Sequence, residues 1–356
     1  MTIKVLIIDD SAVMRALLKS IIDSAPDLEV VGEAPDPIIA REMIKALNPD
    51  VLTLDVEMPR MDGLEFLRRL MKLRPMPVIM ISTLTERGSE VTLQALELGA
   101  IDFLPKPRME TPQLIEAYSE EICEKIRAAA VAMLDTRAPE PPLGAAPRNM
   151  ASALRPLATR TLNDKLIAIG ASTGGTEAIK DVLIALPEQT PGIVISQHMP
   201  ELFTVSFAKR LDRLARIKVV EAQGGERIQP GHAYLAPGNA HLLVKKTGGS
   251  HFTELSQGPP VNRHRPSVDV MFRSVAEVYG RSAVGVLLTG MGKDGAQGLL
   301  EMRQAGAWTI GQNQASCVVY GMPREAALLD AIDEAVPLQE VADHILARLH
   351  AAEQKA

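Results

Sequence analysis

The amino-acid sequence predicts an α/β protein of two domains, each built on a mostly parallel sheet. Over residues 1–134, short runs of valine, isoleucine and leucine alternate with amphipathic stretches, a pattern typical of β-α units. The same alternation resumes at Lys165. Between the two series, residues 135–161 are rich in proline and alanine without a period in the apolar positions, which predicts a flexible linker. The 356 residues suffice for two domains that each bury a core.

The first domain, residues 1–134, is predicted to be a flavodoxin-like doubly wound sheet. Apolar residues at spacings of three and four, such as Val13, Leu17 and Ile21, predict amphipathic helices between its strands. Buried parallel strands are expected to be short and almost wholly apolar. The strand candidates are Lys4–Ile8, Glu29–Gly32, Val51–Leu54, Val78–Ile81 and Asp102–Leu104.

The second domain, residues 162–356, is predicted to be a mostly parallel, doubly wound α/β domain. A helical pattern follows each of its strand candidates Leu166–Ile169, Gly192–Ser196 and Ala283–Thr289. Shorter candidates between the last two predict an antiparallel excursion within the domain. These are Ala233–Leu235, Leu242–Val244 and Phe252–Leu255.

Composition and charge exclude several classes of partner. Residues 1–134 hold 15 basic and 22 acidic residues, and the remainder holds 23 and 22, so without a basic block no nucleic-acid partner is expected. The longest unbroken apolar run, Ala128–Leu134, is too short to predict membrane insertion. The N-terminus begins directly with a strand-like segment, so no signal peptide is expected. Cys123 and Cys317 are too few for a disulfide framework, which favours a cytoplasmic protein with reduced thiols.

Three carboxylates are expected at one edge of the first sheet. Asp9 and Asp10 follow the first strand candidate and Asp55 follows the third, and open α/β sheets bind ligands at the carboxyl ends of their strands. A hard cation such as Mg2+ is the natural counter-charge for this cluster, although a single aspartate could simply cap the helix that follows it. Ser82 after the fourth strand and Lys106 after the fifth add a hydroxyl and a cation. The whole set suits phosphoryl transfer.

These residues lie in motifs that resemble the receiver domain of response regulators. The resemblance implies that Asp55 accepts a phosphoryl group. It also implies that Asp9, Asp10 and Asp55 bind Mg2+ together with the backbone carbonyl of Glu57. The motifs are Ile7-Ile8-Asp9-Asp10-Ser11, Leu54-Asp55-Val56-Glu57-Met58-Pro59 followed by Met61-Asp62-Gly63, and Phe103-Leu104-Pro105-Lys106-Pro107.

The same resemblance assigns roles around the phosphoryl group. Ser82 and Lys106 are implied to sense it. Phe103 stands where the family keeps an aromatic residue that reorients on activation.

A glycine-flanked serine follows the first strand candidate of the second domain. The segment Gly170–Gly175 separates the strand Leu166–Ile169 from a helical pattern that starts at Thr176. In a G-x-S-x-G turn of this kind the serine hydroxyl is exposed at the turn, and the following N–H groups point at an anion. Taken alone, a glycine-rich turn between strand and helix equally fits a cradle for a phosphate or a dinucleotide.

Two further residues favour a serine hydrolase. His198 follows the strand Gly192–Ser196 and Asp294 follows Ala283–Thr289, so both lie past predicted strand ends, as Ser172 does. A nucleophilic serine needs an adjacent base, and the base needs a carboxylate that fixes its tautomer. The chain order Ser, His, Asp differs from that of α/β-hydrolases, in which the acid precedes the histidine. Other histidines show no metal-ligand spacing and are interpreted as structural or peripheral: His232, His241, His251 and His264.

The second half resembles the catalytic domain of the CheB chemotaxis methylesterase family. The resemblance implies that Ser172 is the nucleophile, His198 the base and Asp294 the residue that orients the base. It further implies that backbone N–H groups near Thr173 and Met291 stabilise the oxyanion. The segments that carry it are Ile169–Thr176, Gln197-His198-Met199-Pro200, Val261–Asp269, Leu288–Gly295 and Gly321-Met322-Pro323-Arg324-Glu325.

Together the two resemblances imply a phosphorylation-activated serine hydrolase. It would demethylate glutamate methyl esters on methyl-accepting chemotaxis receptors, release methanol, and deamidate specific receptor glutamines in chemotactic adaptation. A chemotaxis histidine kinase is the implied phosphodonor, the receiver is expected to restrain the esterase until Asp55 is phosphorylated, and the esterase site is expected to need no cofactor. Two alternatives remain open: a response regulator with a binding or scaffolding output, and a serine hydrolase acting on another substrate. The first would need a helix-turn-helix or a basic face, and neither is evident after residue 161.

Overall fold

The computed structural model describes residues 2–58, 62–83, 85–107, 112–132 and 157–353. The chain divides into two compact units, Met1–Glu140 and Pro141–Ala356. Most of the predicted linker, residues 135–161, lies outside the described residues. Its last residues enter a short helix, α6, which spans Thr159–Asp164. The predicted domain boundaries therefore stay a prediction.

The first unit is a five-stranded parallel sheet with a helix after each strand. Its strand order is β2-β1-β3-β4-β5, the order of a flavodoxin-like sheet, as the sequence predicts. The central strands are buried along their whole length because helices cover both faces. The strands are β1 Ile3–Ile8, β2 Leu28–Ala34, β3 Val51–Asp55, β4 Val78–Ser82 and β5 Asp102–Pro105. The helices are α1 Ala12–Asp23, α2 Pro37–Leu47, α3 Gly63–Leu73, α4 Glu86–Glu97 and α5 Pro112–Ala130.

Residues other than the three clustered aspartates cap the helices that follow β1 and β3. The hydroxyl of Ser11 accepts the N–H of Met14 and caps α1. The carboxylate of Asp62 accepts the N–H of Glu65 and caps α3. Helix capping is therefore not the role of Asp9 or Asp55, which lie before these caps.

The second unit is a seven-stranded parallel sheet with an additional antiparallel pair. The sheet order is β14-β13-β12-β6-β7-β9-β8, and β10 pairs with β11 alone. The strand after β6 lies toward one edge of the sheet and the strand after the adjacent β12 lies toward the other edge. This pair is therefore the topological switch point, where such sheets bind ligands. The strands are β6 Leu166–Ala171, β7 Gly192–Gln197, β8 Lys218–Glu221, β9 His232–Leu235, β10 His241–Thr247, β11 Ser250–Ser256, β12 Ala283–Leu287, β13 Trp308–Gln312 and β14 Glu334–Val336. The helices are α7 Gly175–Ala185, α8 Glu201–Leu214, α9 Val268–Tyr279, α10 Ala296–Gln304, α11 Met322–Leu328 and α12 Val341–Glu353.

One part of the predicted antiparallel excursion is wrong. The candidate Ala233–Leu235 belongs to β9, which pairs in parallel with β7 on one side and β8 on the other. Only β10 and β11 are antiparallel, in a register that places Val244 opposite Thr253. The strand β9 is an inner strand of the main sheet and is buried on both faces. Its partner β8 has only four residues, too few to show the alternation of apolar and polar residues that predicts a strand.

In the second unit, helices α9 and α10 pack on the sheet whose strand ends carry Ser172, His198 and Asp294. Phe272 and Met271 on α9 are fully buried in the core of the second unit, together with Leu299 and Met302 on α10. Burial of such side chains contributes about 1.5–3 kcal/mol each to folding. Across the described ranges, no helix combines the length and the apolarity that crossing a membrane requires.

Candidate functional site

The first unit brings three carboxylates together at the carboxyl edge of its sheet. Asp9 follows β1 and Asp55 ends β3, and these strands are hydrogen-bonded neighbours. One oxygen each from Asp9, Asp10 and Asp55 lies within 4.8 Å of the others. Asp9 and Asp55 are buried and Asp10 is exposed. Carboxylates this close repel one another when ionised, and a nearby cation stabilises their ionised forms.

Lys106 supplies one positive charge to the cluster. Its Nζ lies 2.8 Å from Oδ2 of Asp55 and 3.4 Å from Oδ2 of Asp9. The residue reaches the cluster because it follows β5, where its N–H donates to the carbonyl of Ser82 at 2.7 Å. Burial raises the pKa of Asp55 to about 6, since the charge of Asp9 adds to desolvation and Lys106 offsets only part of it. The surroundings of Asp55 therefore disfavour the ionised form of this carboxylate.

The residues present fit a hard divalent cation. Within the described ranges, Oδ2 of Asp9 is buried without a hydrogen-bond partner, and Lys106 Nζ is the cationic atom beside it at 3.4 Å. Burial also raises the pKa of Asp9. Carboxylate oxygens are the ligands that Mg2+ takes in proteins, usually one or two of them with water or phosphate oxygens. The side chain of Glu57 is exposed, while its N–H donates to Oδ1 of Asp55 at 3.3 Å.

The other predicted receiver residues lie around this cluster. Ser82 ends β4 next to β3 and is buried, with its hydroxyl 3.4 Å from the carbonyl of Gly88. Phe103 on β5 is 5% exposed, and Nζ of Lys125 lies 6.0 Å from its ring centroid. The aromatic side chain is thus buried in this structure.

In the second unit, a tight turn between β6 and α7 presents Ser172. Its N–H donates to the carbonyl of Thr289 at 3.0 Å, and its carbonyl accepts the N–H of Gly175 at 2.7 Å. Gly174 has φ +76°, and a Cβ there would lie 2.7 Å from Cβ of Val318, so only glycine fits. The turn therefore holds Ser172 at the end of β6 with its hydroxyl facing His198.

The structure brings Ser172, His198 and Asp294 into one hydrogen-bonded chain. Nδ1 of His198 lies 3.1 Å from Oγ of Ser172, and Nε2 lies 2.8 Å from Oδ2 of Asp294. An ionised Asp294 can only accept, so Nε2 carries the proton and Nδ1 is left to accept from the serine hydroxyl. This is the arrangement that a serine nucleophile and its general base require.

Asp294 is held by more donors than the histidine alone. Burial raises its pKa, but the hydrogen bond and charge of His198, with hydrogen bonds from Asn262 and Ser267, outweigh burial and bring the pKa below its usual range. Asn262 Nδ2 and Ser267 Oγ donate to Oδ1 at 2.8 and 2.7 Å, and the N–H of Val268 donates to Oδ2 at 2.7 Å. The buried carboxylate therefore stays ionised beside His198.

Thr173 and Met291, predicted to bound the oxyanion site, lie on either side of the serine. Thr173 follows it in the turn, and the hydroxyl of Thr289 donates to the carbonyl of Thr173 at 3.0 Å. Gly290, next to Met291, lies against the serine so closely that a Cβ on it would be 2.8 Å from Cβ of Ser172. Both segments thus border Ser172.

Sequence reasoning missed several residues that contact Ser172, His198 and Asp294. His264, interpreted there as structural or peripheral, stacks on His198 with ring centroids 3.6 Å apart and planes inclined by 15°. Gln197 donates its amide Nε2 to the carbonyl of Ser172 at 2.9 Å. Asn262 and Ser267 bind Asp294, as described above. The signal in the sequence is the segment Val261–Asp269, whose resemblance to the family implies no roles for its individual side chains.

Known proteins match the chain along almost its whole length. A family model described as CheB methylesterase matches residues 167–345, and one described as response regulator receiver domain matches residues 5–119. The chain is 63% identical to a protein-glutamate methylesterase/protein-glutamine glutaminase of Nitrosomonas europaea, over 99% of this chain and 98% of that one. A protein of the same name from Thiobacillus denitrificans is 60% identical over 97% of this chain and 96% of its own length. The crystal structure of the CheB methylesterase catalytic domain of Thermotoga maritima is similar with a TM-score of 0.51 and 36% identity, over 51% of this chain and 97% of that one.

Proposed function

The chain belongs to the CheB methylesterase family, and from this membership we propose that it is a protein-glutamate methylesterase and protein-glutamine glutaminase controlled by a phosphorylatable receiver domain. Its substrates are glutamate methyl esters and specific glutamines of methyl-accepting chemotaxis receptors. The observation that carries the proposal is the chain of hydrogen bonds from Ser172 through His198 to Asp294, with distances of 3.1 and 2.8 Å. Cys123 and Cys317 are free and buried thiols, which fits a cytoplasmic location.

In the first half of the reaction, Oγ of Ser172 attacks the ester carbonyl while Nδ1 of His198 takes the hydroxyl proton. The charge that develops on the carbonyl oxygen is stabilised by backbone N–H groups of Thr173 and Met291. Asp294 stabilises the imidazolium through Nε2. The tetrahedral intermediate then expels methanol, which leaves with the proton from Nδ1, and an acyl group remains on Ser172.

In the second half, water attacks the acyl group and gives its proton to Nδ1 of His198. That proton returns to Oγ of Ser172 as the serine leaves. The balance is one ester and one water to one carboxylate, one methanol and one proton. A glutamine side chain follows the same path with ammonia as the first leaving group, so both activities use one set of residues.

The receiver site is proposed to take up a phosphoryl group on Asp55 with the chemotaxis histidine kinase as donor. The carboxylates of Asp9, Asp10 and Asp55 and the backbone carbonyl of Glu57 would hold Mg2+, which neutralises charge on the phosphoryl oxygens when bound. Lys106, now paired with Asp55, offers its charge to the incoming group, and the Ser82 hydroxyl donates to it. Phe103 would then leave its buried position.

The decisive experiment measures methanol released from methylated receptor by the full chain, with and without acetyl phosphate and Mg2+. We expect release that the phosphodonor stimulates, that Ser172→Ala abolishes, and that Asp55→Asn leaves unstimulated. Chelation of Mg2+ should remove the stimulation and not the basal release, since the triad needs no metal. If the full chain released no methanol with or without the phosphodonor, the proposed substrate would be wrong.

A further inference from the structure

A four-residue turn places two side chains on the triad. Val261 and His264 exchange backbone hydrogen bonds of 3.0 and 2.9 Å and close the turn around Asn262 and Arg263. These central residues have φ values of 51° and 69°, the backbone of a type I′ turn that glycine and asparagine usually provide. An arginine is strained there, and such strain persists where the surrounding structure fixes it.

Asn262 ties one side of the turn to the acid of the triad. Its Nδ2 donates to Oδ1 of Asp294 at 2.8 Å and to Oδ2 of Asp269 at 2.7 Å. Asp269 is itself fixed by the N–H of Gly298, which donates to its Oδ1 at 2.7 Å. The turn therefore cannot shift without breaking its hydrogen bonds to two buried carboxylates.

The other side of the turn covers the base. The ring of His264 lies over the ring of His198 at 3.6 Å and 15°, and only 8% of the His198 side chain is exposed. Hydrogen bonds at Nδ1 and Nε2 lie in the plane of the imidazole, so they position its two nitrogens but resist tilting about the line between them only weakly. A ring stacked on the face opposes that tilt directly.

Stacking also suits the charge that His198 acquires. When it takes the proton of Ser172, its ring becomes a cation, and the face of an aromatic ring attracts a cation when that ring is itself uncharged. A flat neighbour can remain in place in both protonation states.

We infer that His264 is a positioning residue for the base: its ring holds the His198 imidazole in the plane that joins Ser172 to Asp294. The inference rests on the proposed function, in which His198 moves the proton. The inference concerns the flat ring of His264 as the stacking partner of His198.

The test compares full-chain variants at position 264. His264→Ala removes the ring, and His264→Phe keeps a flat ring without nitrogens. We expect the alanine variant to lower kcat for methanol release by about tenfold or more, as misplacement of a catalytic group does, with little change in KM. The phenylalanine variant should restore most of kcat.

A matched control is available in the same unit. The ring of His251 contacts that of Tyr279 with centroids 4.1 Å apart and planes inclined by 31°, and neither residue belongs to the site around Ser172 described above. His251→Ala removes a comparable ring contact and should leave kcat unchanged. If His264→Ala kept the wild-type kcat, or if the alanine and phenylalanine variants lost it equally, the inference would be overturned.

Two further readouts complement the methanol assay: the first needs no receptor, and the second needs no variant. The rate at which a fluorophosphonate labels Ser172 reports activation of the serine whatever the natural substrate is, and it should follow the same order as kcat. In the wild-type protein, the ring protons of His198 should resonate upfield of their ordinary range because of the stacked ring, and ordinary shifts would count against the stack. If methanol release failed while Ser172 was still labelled, the proposed substrate would be wrong, and the labelling rates of the three variants would decide on His264.

Discussion

His198 faces Ser172 with Nδ1 and Asp294 with Nε2, at 3.1 and 2.8 Å. In the serine protease template the two nitrogens have the opposite assignments. The reason lies in the sheet: Ser172 and His198 follow neighbouring strands, and the N–H of His198 donates to the carbonyl of Ala171 at 3.3 Å. Nδ1 is the ring nitrogen nearer to the backbone, so it meets the adjacent serine, while Nε2 reaches across to Asp294.

Replacing Asp294 with asparagine tests this relationship. An amide can present its NH2 to Nε2, which favours the tautomer with the proton on Nδ1, and it cannot stabilise the imidazolium. We expect methanol release to fall by about a factor of 10^3–10^4, as when the acid of such a triad is lost. Asp330→Asn is the matched control, because its carboxylate is exposed and binds Arg303, away from Ser172 and His198. A loss smaller than tenfold for Asp294→Asn would contradict the assigned role.

Asn262 provides a prediction in which activity and stability separate. Asn262→Ala and Asn262→Gly both remove the donor to Asp294 and Asp269, so both should lower kcat to a similar extent. At φ 51° alanine is strained and glycine is not, so the free energy of unfolding should be about 1–2 kcal/mol lower for alanine than for glycine. Chemical denaturation and methanol release measure the two effects. Equal stability of the two variants would show that the backbone relaxes.

Gly290 is predicted to be intolerant of any side chain. A Cβ there would lie 2.8 Å from Cβ of Ser172 and 2.3 Å from Sδ of Met322, which is fully buried. Gly290→Ala should therefore displace the serine and lower labelling of Ser172 by a fluorophosphonate at least tenfold, since small displacements are costly in catalysis. Gly258→Ala is the control, because the nearest atom to its Cβ is a serine hydroxyl at 3.3 Å. Similar labelling of both variants would contradict the prediction.

The polar residues of both sites could be predicted because each follows a strong strand signal. Apolar runs such as Val78–Ile81 and Leu166–Ile169 locate the strands, and parallel pairing then brings their carboxyl ends together. The weakest elements gave no such signal. The strand β14 has three residues and β8 has four, and both lie at edges of the sheet, where pairing and not local sequence creates the strand.

The support of the triad could not be predicted, for a physical reason. His264 reaches His198 through a turn whose central residues, Asn262 and Arg263, both adopt positive φ. Such a turn is usually indicated by asparagine or aspartate followed by glycine. Here Arg263 stands where glycine is expected, so the sequence does not indicate the turn. The turn is fixed by the hydrogen bond from Asn262 to Asp294, which lies 32 positions away in sequence.

The thiols give a prediction of pH dependence. Burial raises the pKa of Cys317 to about 12 and also raises that of Cys123. Because the thiolate is the reactive form, neither should react with a disulfide reagent at about pH 8 in the folded protein, and both should react after unfolding. Since the unfolded thiols ionise first, the free energy of unfolding should fall as pH rises through about 9, the ordinary pKa. Stoichiometric reaction of the folded protein would contradict the burial of these side chains.

Phosphorylation is predicted to relieve a restraint that the receiver places on the esterase. The predicted linker of residues 135–161 would keep the two units at an effective concentration in the millimolar range, so that even weak association between them suffices for control. Phosphorylation adds about two negative charges at Asp55, beside Lys106, and a change of a few kcal/mol in a two-state equilibrium alters activity strongly. A fragment of residues 157–356 retains the whole of α6 and tests the restraint, and we expect it to release methanol faster than the unphosphorylated full chain. Acetyl phosphate with Mg2+ should accelerate the full chain and leave both the fragment and Asp55→Asn unchanged. If the fragment and the full chain had equal rates that the phosphodonor did not alter, the receiver would have no inhibitory role.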